Sequence, residues 1–256
     1  MDILQDILTF VMPIRIDSKE RLRNVSSVIS WLSELQCPIE IIEADSIKQI
    51  SDDWIEKNKH IRYRFIKDNN KNFYRTHYIN ELLKTTKTEI VAIWDADIII
   101  GYNQVFEAIN NILSNNCILS YPYDGKYVML NKDITEVFIK RNNIEILEQL
   151  GLKSIFSRPF CGGAYIVNRH KYLKIGGENE NMKGWGPEDV ERLMRVKILE
   201  ENVKWTKSGS AYHLFHPRKE NSNYFNMKSA IANRKELIKI CNMDKRELES
   251  YILKWK

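Results

Sequence analysis

The chain has 256 residues, 43% of them apolar, and a formal net charge of +5. That length allows one large domain or two modest ones, and the apolar share suits a soluble globular core. No apolar run approaches the ~20 residues of a membrane helix, and the acidic opening MDILQDILTF lacks the basic start of a signal peptide.

Four scattered cysteines with no CxxC pair argue for reduced thiols in a cytoplasmic protein, against a disulfide or zinc framework. Residues 218–256 hold ten Lys/Arg and five Asp/Glu, so this tail carries the whole excess of five charges. No recognition motif accompanies it, and nucleic acid is not an expected partner. Its Lys228, Arg234, Lys235, Lys239, Lys245, Arg246, Lys254 and Lys256 read either as a solvated helix surface or as a peripheral contact with the anionic inner membrane face.

Ile3, Leu4, Ile7 and Leu8 have the spacing of a short amphipathic helix. FVMPIRI (10–16) predicts a strand, KERLRNVSSVISWLSEL (19–35) a helix, IEIIEAD (39–45) a strand and IRYRFIKD (61–68) another extended run. THYINELLKTT (76–86) follows as a helix and EIVAIWDADIII (89–100) as a strand. Residues 103–113 read as a helix capped by Asn103, CILSYPYDGKYVML (117–130) as a strand with a turn, and 131–152 as a charged helical insert. Strands alternating with helices predict a parallel or mostly parallel α/β sheet. Six of the ten glycines fall within 162–186, marking sharp turns or close approach of another molecule. No repeat, low-complexity segment or linker interrupts the chain, so one domain is the simplest organisation.

Charged residues end several predicted strands: Arg15 and Asp17 the first, Glu43 and Asp45 the second, Asp95 and Asp97 the last of the first half. In open α/β sheets ligands bind beyond the carboxyl ends of strands. Alternation along a strand would aim Asp95 and Asp97 to one side, where a divalent cation with a diphosphate would neutralise them. Alternatively, both face water or cap the next turn. In AYHLFHPR, His213 and His216 offer imidazoles to complete such a metal shell, and the spacing leaves open which one does so.

GGENENMKGWGPEDVERL is the more telling stretch. Pro187 fits a first helical turn, with Gly186 at the cap and Glu188 and Asp189 just inside. Acids there complement the helix dipole. Trp185 between two glycines has no such helix-start rationale. An aromatic plate beside two carboxylates suits a sugar, and one carboxylate can deprotonate an acceptor hydroxyl.

Together these stretches resemble the GT-A glycosyltransferases, in particular the β-1,4-galactosyltransferase type and related bacterial polysaccharide enzymes of family 2. Pro13-Ile14-Arg15 resembles the family's Pro-Phe-Arg strand end, and Phe73, Arg75 and Asn80 match its Phe-x-Arg-x4-Asn spacing. Asp95-Ala96-Asp97 matches its D-x-D, Gly162-Gly163 its Gly-Gly segment, and residues 184–189 its Gly-Trp-Gly-x-Glu-Asp motif. The resemblance departs at Asp17, where the family has a second Arg, at Val190, where it has a third acid, and at the Met/His metal pair, here YHLFH.

The resemblance implies a GT-A catalytic domain over 1–217, with a mostly parallel central sheet flanked by helices. Its nucleotide-binding part would span about 10–100 and its acceptor-binding part about 158–217, followed by a basic helical extension, 218–256. Pro13, Arg15, Asp17, Glu43, Phe73, Arg75, Asp95 and Ala96 would bind the nucleotide, and Asp97 with His213 or His216 a Mn2+ or Mg2+ ion. Trp185, Glu188 and Gly163 would bind the acceptor, and Asp189 would be the base. The implied reaction is inverting transfer of a hexose or N-acetylhexosamine from a UDP-sugar to a saccharide or glycolipid hydroxyl in surface polysaccharide synthesis, with Gly176–Gly186 closing over the donor. Rival readings are a haloacid-dehalogenase-like phosphotransferase, which leaves GWGPED unexplained, a silent sugar- or nucleotide-binding module, and a pyrophosphorylase, whose Gly-rich loop is missing after the first strand.

Overall fold

The structure is a computed structural model describing residues 4–57, 61–114, 116–157, 159–219 and 227–255. The expectations at Ile3, position 158, 220–226 and Lys256 lie outside the described residues.

The central sheet has seven strands: β1 (Leu8–Ile14), β2 (Ile39–Asp45), β3 (Ile61–Lys67), β4 (Ile90–Trp94), β6 (Leu119–Tyr121), β8 (Ala164–Asn168) and β9 (Val203–Trp205). Their order is β3-β2-β1-β4-β8-β6-β9. The first four are mutually parallel, β8 runs antiparallel to both β4 and β6, and β9 is parallel to β6. A three-stranded sheet, β5 (Ile98–Ile99), β10 (Ala211–His213) and β7 (Tyr127–Met129), lies at the carboxyl end of β4.

β1 (LTFVMPI) and β4 (IVAIW) are buried along their whole length, as strands covered on both faces must be. The covering helices include α2 (Lys19–Ser33), α4 (Arg75–Thr85) and α5 (Tyr102–Ser114), reached after a short α1 (Leu4–Ile7) and α3 (Asp52–Glu56). Ser18 caps α2 by accepting from the Arg21 amide, and Val25, Val28, Ile29 and Leu32 face the core at helical spacing. Beyond the sheet's middle come α6 (Lys132–Arg141), α7 (Glu145–Gln149), α8 (Arg169–Lys174) and α9 (Glu188–Ile198). The tail forms α10 (Met227–Cys241) and α11 (Lys245–Ile252), which bury Ile240, Leu248 and Ile252 against Leu199 at the end of α9.

Five expectations change. The run 89–100 is not one strand: β4 stops at Trp94, and Asp95-Ala96-Asp97 turns the chain into the small sheet. The Asp95 amide donates to the Gly163 carbonyl (2.8 Å), and the buried Trp94 indole N–H donates to the Ile98 carbonyl (2.9 Å), which pins the turn. The run 117–130 divides likewise into β6 and β7, because Gly125 (φ 89°) turns the chain between the sheets. Asn103 lies inside α5, which starts at Tyr102, and the 131–152 insert breaks at Asn142, a left-handed C-cap with φ 48°. Pro187, not Gly186, occupies the N-cap of α9.

Candidate active site

A cleft of ≈ 1120 Å³ opens at the carboxyl ends of β1 and β4. Pro13, Arg15, Phe73, Arg75, Asp95, Ala96 and Asp97 line it, together with Gly163, Trp185, Glu188, Asp189, His213 and His216. Gly163 and Asp189 are neighbours of Asp95 there. Asp17 and Glu43 are not among the lining residues. Glu43 is fully buried, accepting from the Gln49 amide (2.6 Å) and the Tyr63 hydroxyl (2.5 Å), so it shapes the loop after β2. Asp17 pairs with Arg21 (3.2 Å), and its carbonyl accepts from Lys219 (2.6 Å). Asn80 also turns away, bonding the backbone and side chain of Glu178 and Glu180.

Arg15 lines the cleft but spends its donors on protein. Its guanidinium bonds the Ala44 carbonyl (2.8 Å), the Asn70 carbonyl (2.8 Å) and Asp68 (2.7 Å), and it lies 5.2 Å from the centre of the Phe73 ring. Asp68, just past β3, also accepts from the Tyr78 hydroxyl (2.9 Å). Asp68 was missed in the sequence, although it ends a strand just as Asp45 does. Arg75 pairs with Asp95 (2.5 and 3.1 Å), yet its Nη1 is buried without a partner and can donate to a ligand. Burial pushes the Asp95 carboxyl upward, Arg75 pulls it back in part, and Asp97 and Asp189 add to the upward push.

The Asp97 carboxylate, His213 and His216 each point one ligand atom at the same spot, all within 4.8 Å of one another. Pairing of β5 with β10 brings this about, placing His213 opposite Ile98, the residue after Asp97. His216 Nδ1 lies 3.0 Å from the Pro217 carbonyl, so it donates there and turns Nε2 toward the cluster. That Nε2 is 3.2 Å from Asp97 Oδ2, and His213 Nε2 is 3.6 Å away. Both imidazoles thus turn a ring nitrogen to the same carboxylate oxygen, an arrangement that a shared proton or a cation would bridge. Burial drives His213 below the ordinary imidazole range, with Asp97 opposing only in part. Burial also works against the charge on Asp97, but His213, His216 and Arg21 outweigh it and keep the carboxyl well below its usual value. One carboxylate and two imidazoles fit a divalent transition metal that keeps sites free for phosphate oxygens.

The glycine-rich loop delivers Trp185 to the same cleft, where it is 38% exposed, and leads into α9 with both acids in its first turn. Asp189 is held by Arg192 one turn on (2.9 Å). Arg192 is wholly buried; it bonds both oxygens of Glu178 (3.0 and 3.1 Å) and lies 3.7 Å from the centre of the Tyr165 ring. Glu178 also accepts from Tyr165 and Tyr172 (each 2.6 Å), and burial is outweighed by these donors, which hold its carboxyl near about 2. Glu188 has no such support. Its Oε2 is buried without a partner, and burial followed by the Asp189 charge pushes its carboxyl up to about 8. Gly162 is packed so closely against Asp189 that a Cβ there would strike the carboxylate, and a Cβ on Gly163 would press on Ile98 and Tyr127. Both glycines are therefore required by close packing. Phe160 and Tyr127 (4.3 Å between rings) continue the aromatic wall beyond Trp205, whose indole donates to the Phe160 carbonyl.

Residues 9–229 match the signature of glycosyltransferase-like family 2, which takes in the central sheet and the whole cleft. The chain belongs to that family, and it is a transferase. Among solved structures it is similar to glucosyl-3-phosphoglycerate synthase from Mycobacterium tuberculosis in complex with Mn2+, UDP and phosphoglyceric acid. The identity is 16%, the match covers 93% of this chain and 79% of that one, and the TM-score is 0.56. It is also similar to GalNAc-T7 with UDP, GalNAc and Mn2+, at 11% identity over 96% of this chain and 50% of that one, with a TM-score of 0.59. At such identities the likeness is one of fold, and the fold is GT-A. The phosphotransferase, pyrophosphorylase and silent-module readings fall with this assignment.

Proposed function

We propose that this glycosyltransferase moves a hexose or N-acetylhexosamine from a UDP-sugar to a saccharide hydroxyl, with inversion. One observation carries the reading: a single cleft is lined by both a cation-ready Asp97/His213/His216 cluster and the Glu188/Asp189 pair next to an exposed Trp185. The solved relatives that bind UDP and Mn2+ share this fold and support the donor and metal assignment. A Mn2+ ion, or Mg2+, would act there as a Lewis acid for the departing diphosphate.

The chain's own residues divide the rest of the work. Asp97, His213 and His216 hold the ion. Pro13 and Phe73 give the base an apolar seat that Arg15 and Asp68 shape, and the spare Arg75 Nη1 donates to the nucleotide. Asp95 and Ala96 border the ribose. Trp185 stacks on the acceptor ring, Gly163 lets it approach, and protonated Glu188 donates to an acceptor hydroxyl. Asp189, aimed by Arg192, takes the proton from the attacking hydroxyl on the face opposite the diphosphate. The loop 176–186 covers the donor and excludes water.

Residues 1–217 are the catalytic domain in this reading, and 218–256 its extension. No described helix is long and apolar enough to cross a membrane. The outer side of α10, where Ile231 and Ile238 are exposed beside Lys228, Arg234 and Lys235, suits contact with an anionic membrane bearing a glycolipid acceptor, as surface polysaccharide synthesis would need.

The test is thermal melting with nucleoside diphosphates, each with Mn2+ or EDTA. A ligand at 100 times its Kd stabilises by about 2.7 kcal/mol. A shift with UDP that requires Mn2+ supports the proposal. A larger shift with another base overturns the donor assignment, and no shift with any nucleotide overturns the proposed chemistry.

A further inference from the structure

The tail beyond the family match touches the acceptor loop at three points. Asn233, 1% exposed, pairs its side-chain amide with both backbone groups of Lys183: the Lys183 N–H donates to Oδ1 (3.0 Å) and Nδ2 donates to the Lys183 carbonyl (3.0 Å). Glu236 accepts from Asn179 (3.0 Å) and Asn181 (3.3 Å) and is itself held by the Tyr251 hydroxyl (2.9 Å) from α11. Gly186 packs so closely on Asn233 that a Cβ there would overlap its amide. The family signature stops at 229, before either residue.

A two-way amide pair copies a strand pairing on a loop that has no strand beside it. It satisfies backbone groups that would otherwise bond water, and it fixes the peptide two residues before Trp185. Gly176, Gly177 and Gly184 all have positive φ, so the loop's own backbone is permissive; Thr76 and Asn80 of α4 hold it at Met182, Glu178 and Glu180, and α10 adds its restraint at Asn179, Asn181 and Lys183. α9, which carries Glu188 and Asp189, packs along α10. The restraint and the acids therefore share one support.

We infer that α10 is a clamp that holds the acceptor loop in its working shape before donor binds, with Asn233 and Glu236 as positioning residues for Trp185, Glu188 and Asp189. This rests on the proposed transferase reading for its consequence in turnover, though not for the clamp itself. It revises the expectation of a Gly176–Gly186 loop that closes over bound donor. The acceptor platform is preformed, and a substrate meets little ordering cost there.

Hydrogen–deuterium exchange on the full chain tests it, without ligand and with UDP plus Mn2+. The expected result is slow exchange of the Lys183 amide without ligand, little changed by UDP–Mn2+, and about tenfold faster exchange in Asn233→Ala. Glu236→Gln serves as a second variant should Asn233→Ala fail to fold; it is expected to speed exchange at 179–181. Acceptor-dependent turnover should then fall through a raised acceptor KM, while the UDP–Mn2+ melting shift persists and Asn233→Asp, which keeps the acceptor half of the pair, lies between. Fast exchange at 179–187 until UDP–Mn2+ is added, or no change in either variant, overturns the clamp and leaves the proposed function standing. Loss of the melting shift in wild-type protein overturns the proposed function and leaves the exchange result intact.

Discussion

The cleft holds two pairs of acids, and within each pair the neighbours support the two members unequally. Asp95 and Asp97 each have their own partners: Arg75 for the first, and two histidines with Arg21 (3.8 Å) for the second. In the second pair Arg192 bonds Asp189 as well as Glu178, and Glu188, which feels Arg75 and Arg192 only through their charge, is left with a bare buried oxygen. Buried charge is expensive unless compensated, so Asp97 is held low by its histidines and Arg21, while burial raises Asp95 in spite of Arg75 and raises Glu188 to about 8. The lesson is that the same side chains become ion holders or proton handlers according to who stands next to them.

The sharpest way to break this contrast is at Asp189. Asp189→Asn should lower turnover about 10³-fold, roughly 4 kcal/mol, while UDP–Mn2+ binding by melting is retained. Next comes its support: Arg192→Met strands Glu178 in the interior and should cost about 3 kcal/mol of stability in urea unfolding. On the other pair, Asp97→Asn should abolish the Mn2+-dependent part of the UDP melting shift, about 2.7 kcal/mol at saturating ligand, leaving the fold intact.

Glu188 gives the smallest effect and the clearest pH signature. Folded, it keeps its proton to about 8, whereas an ordinary glutamate loses it near 4.5. Between those values the folded chain binds more protons than the unfolded one, so this group erodes stability as pH rises from about 4.5 to about 8. Glu188→Gln should flatten that slope and melt higher than wild type at pH 9, by about 2 kcal/mol, with no advantage near pH 4. Above pH 8 the wild-type acceptor KM should rise as the donated proton is lost. A pH-independent difference between Glu188→Gln and wild type would remove this contrast.

Much of this was legible because the chemistry sits in short runs. Residues 95–97 and 184–189 carry their meaning in adjacent letters, and the long strands β1 to β4 announce themselves by apolar runs between helices. The counter-charges were less visible. Arg192 stands at helical spacing from Asp189 and was open to inference, but Arg75 beside Asp95 and Glu178 beneath Arg192 depend on packing between distant segments. The strands β5, β7 and β10 are two or three residues long and too short for any periodicity to register. The placement of Asn233 against Lys183 follows from how α10 lies on α9, which no local pattern encodes.

The segment that brings His216 to the cluster is held on both sides by remote helices. Asn24 of α2 donates to the Phe215 carbonyl across 191 positions, and Thr135 of α6 accepts from the Phe215 amide across 80. Such contacts close long loops and come late in folding, after the parallel strands have found one another. A nascent chain that has not yet supplied residues 211–216 has both aspartates and neither imidazole. On the proposed metal assignment, affinity for a divalent cation would arrive only once residues 211–216 have docked, and metal uptake during refolding would mark completion of the fold.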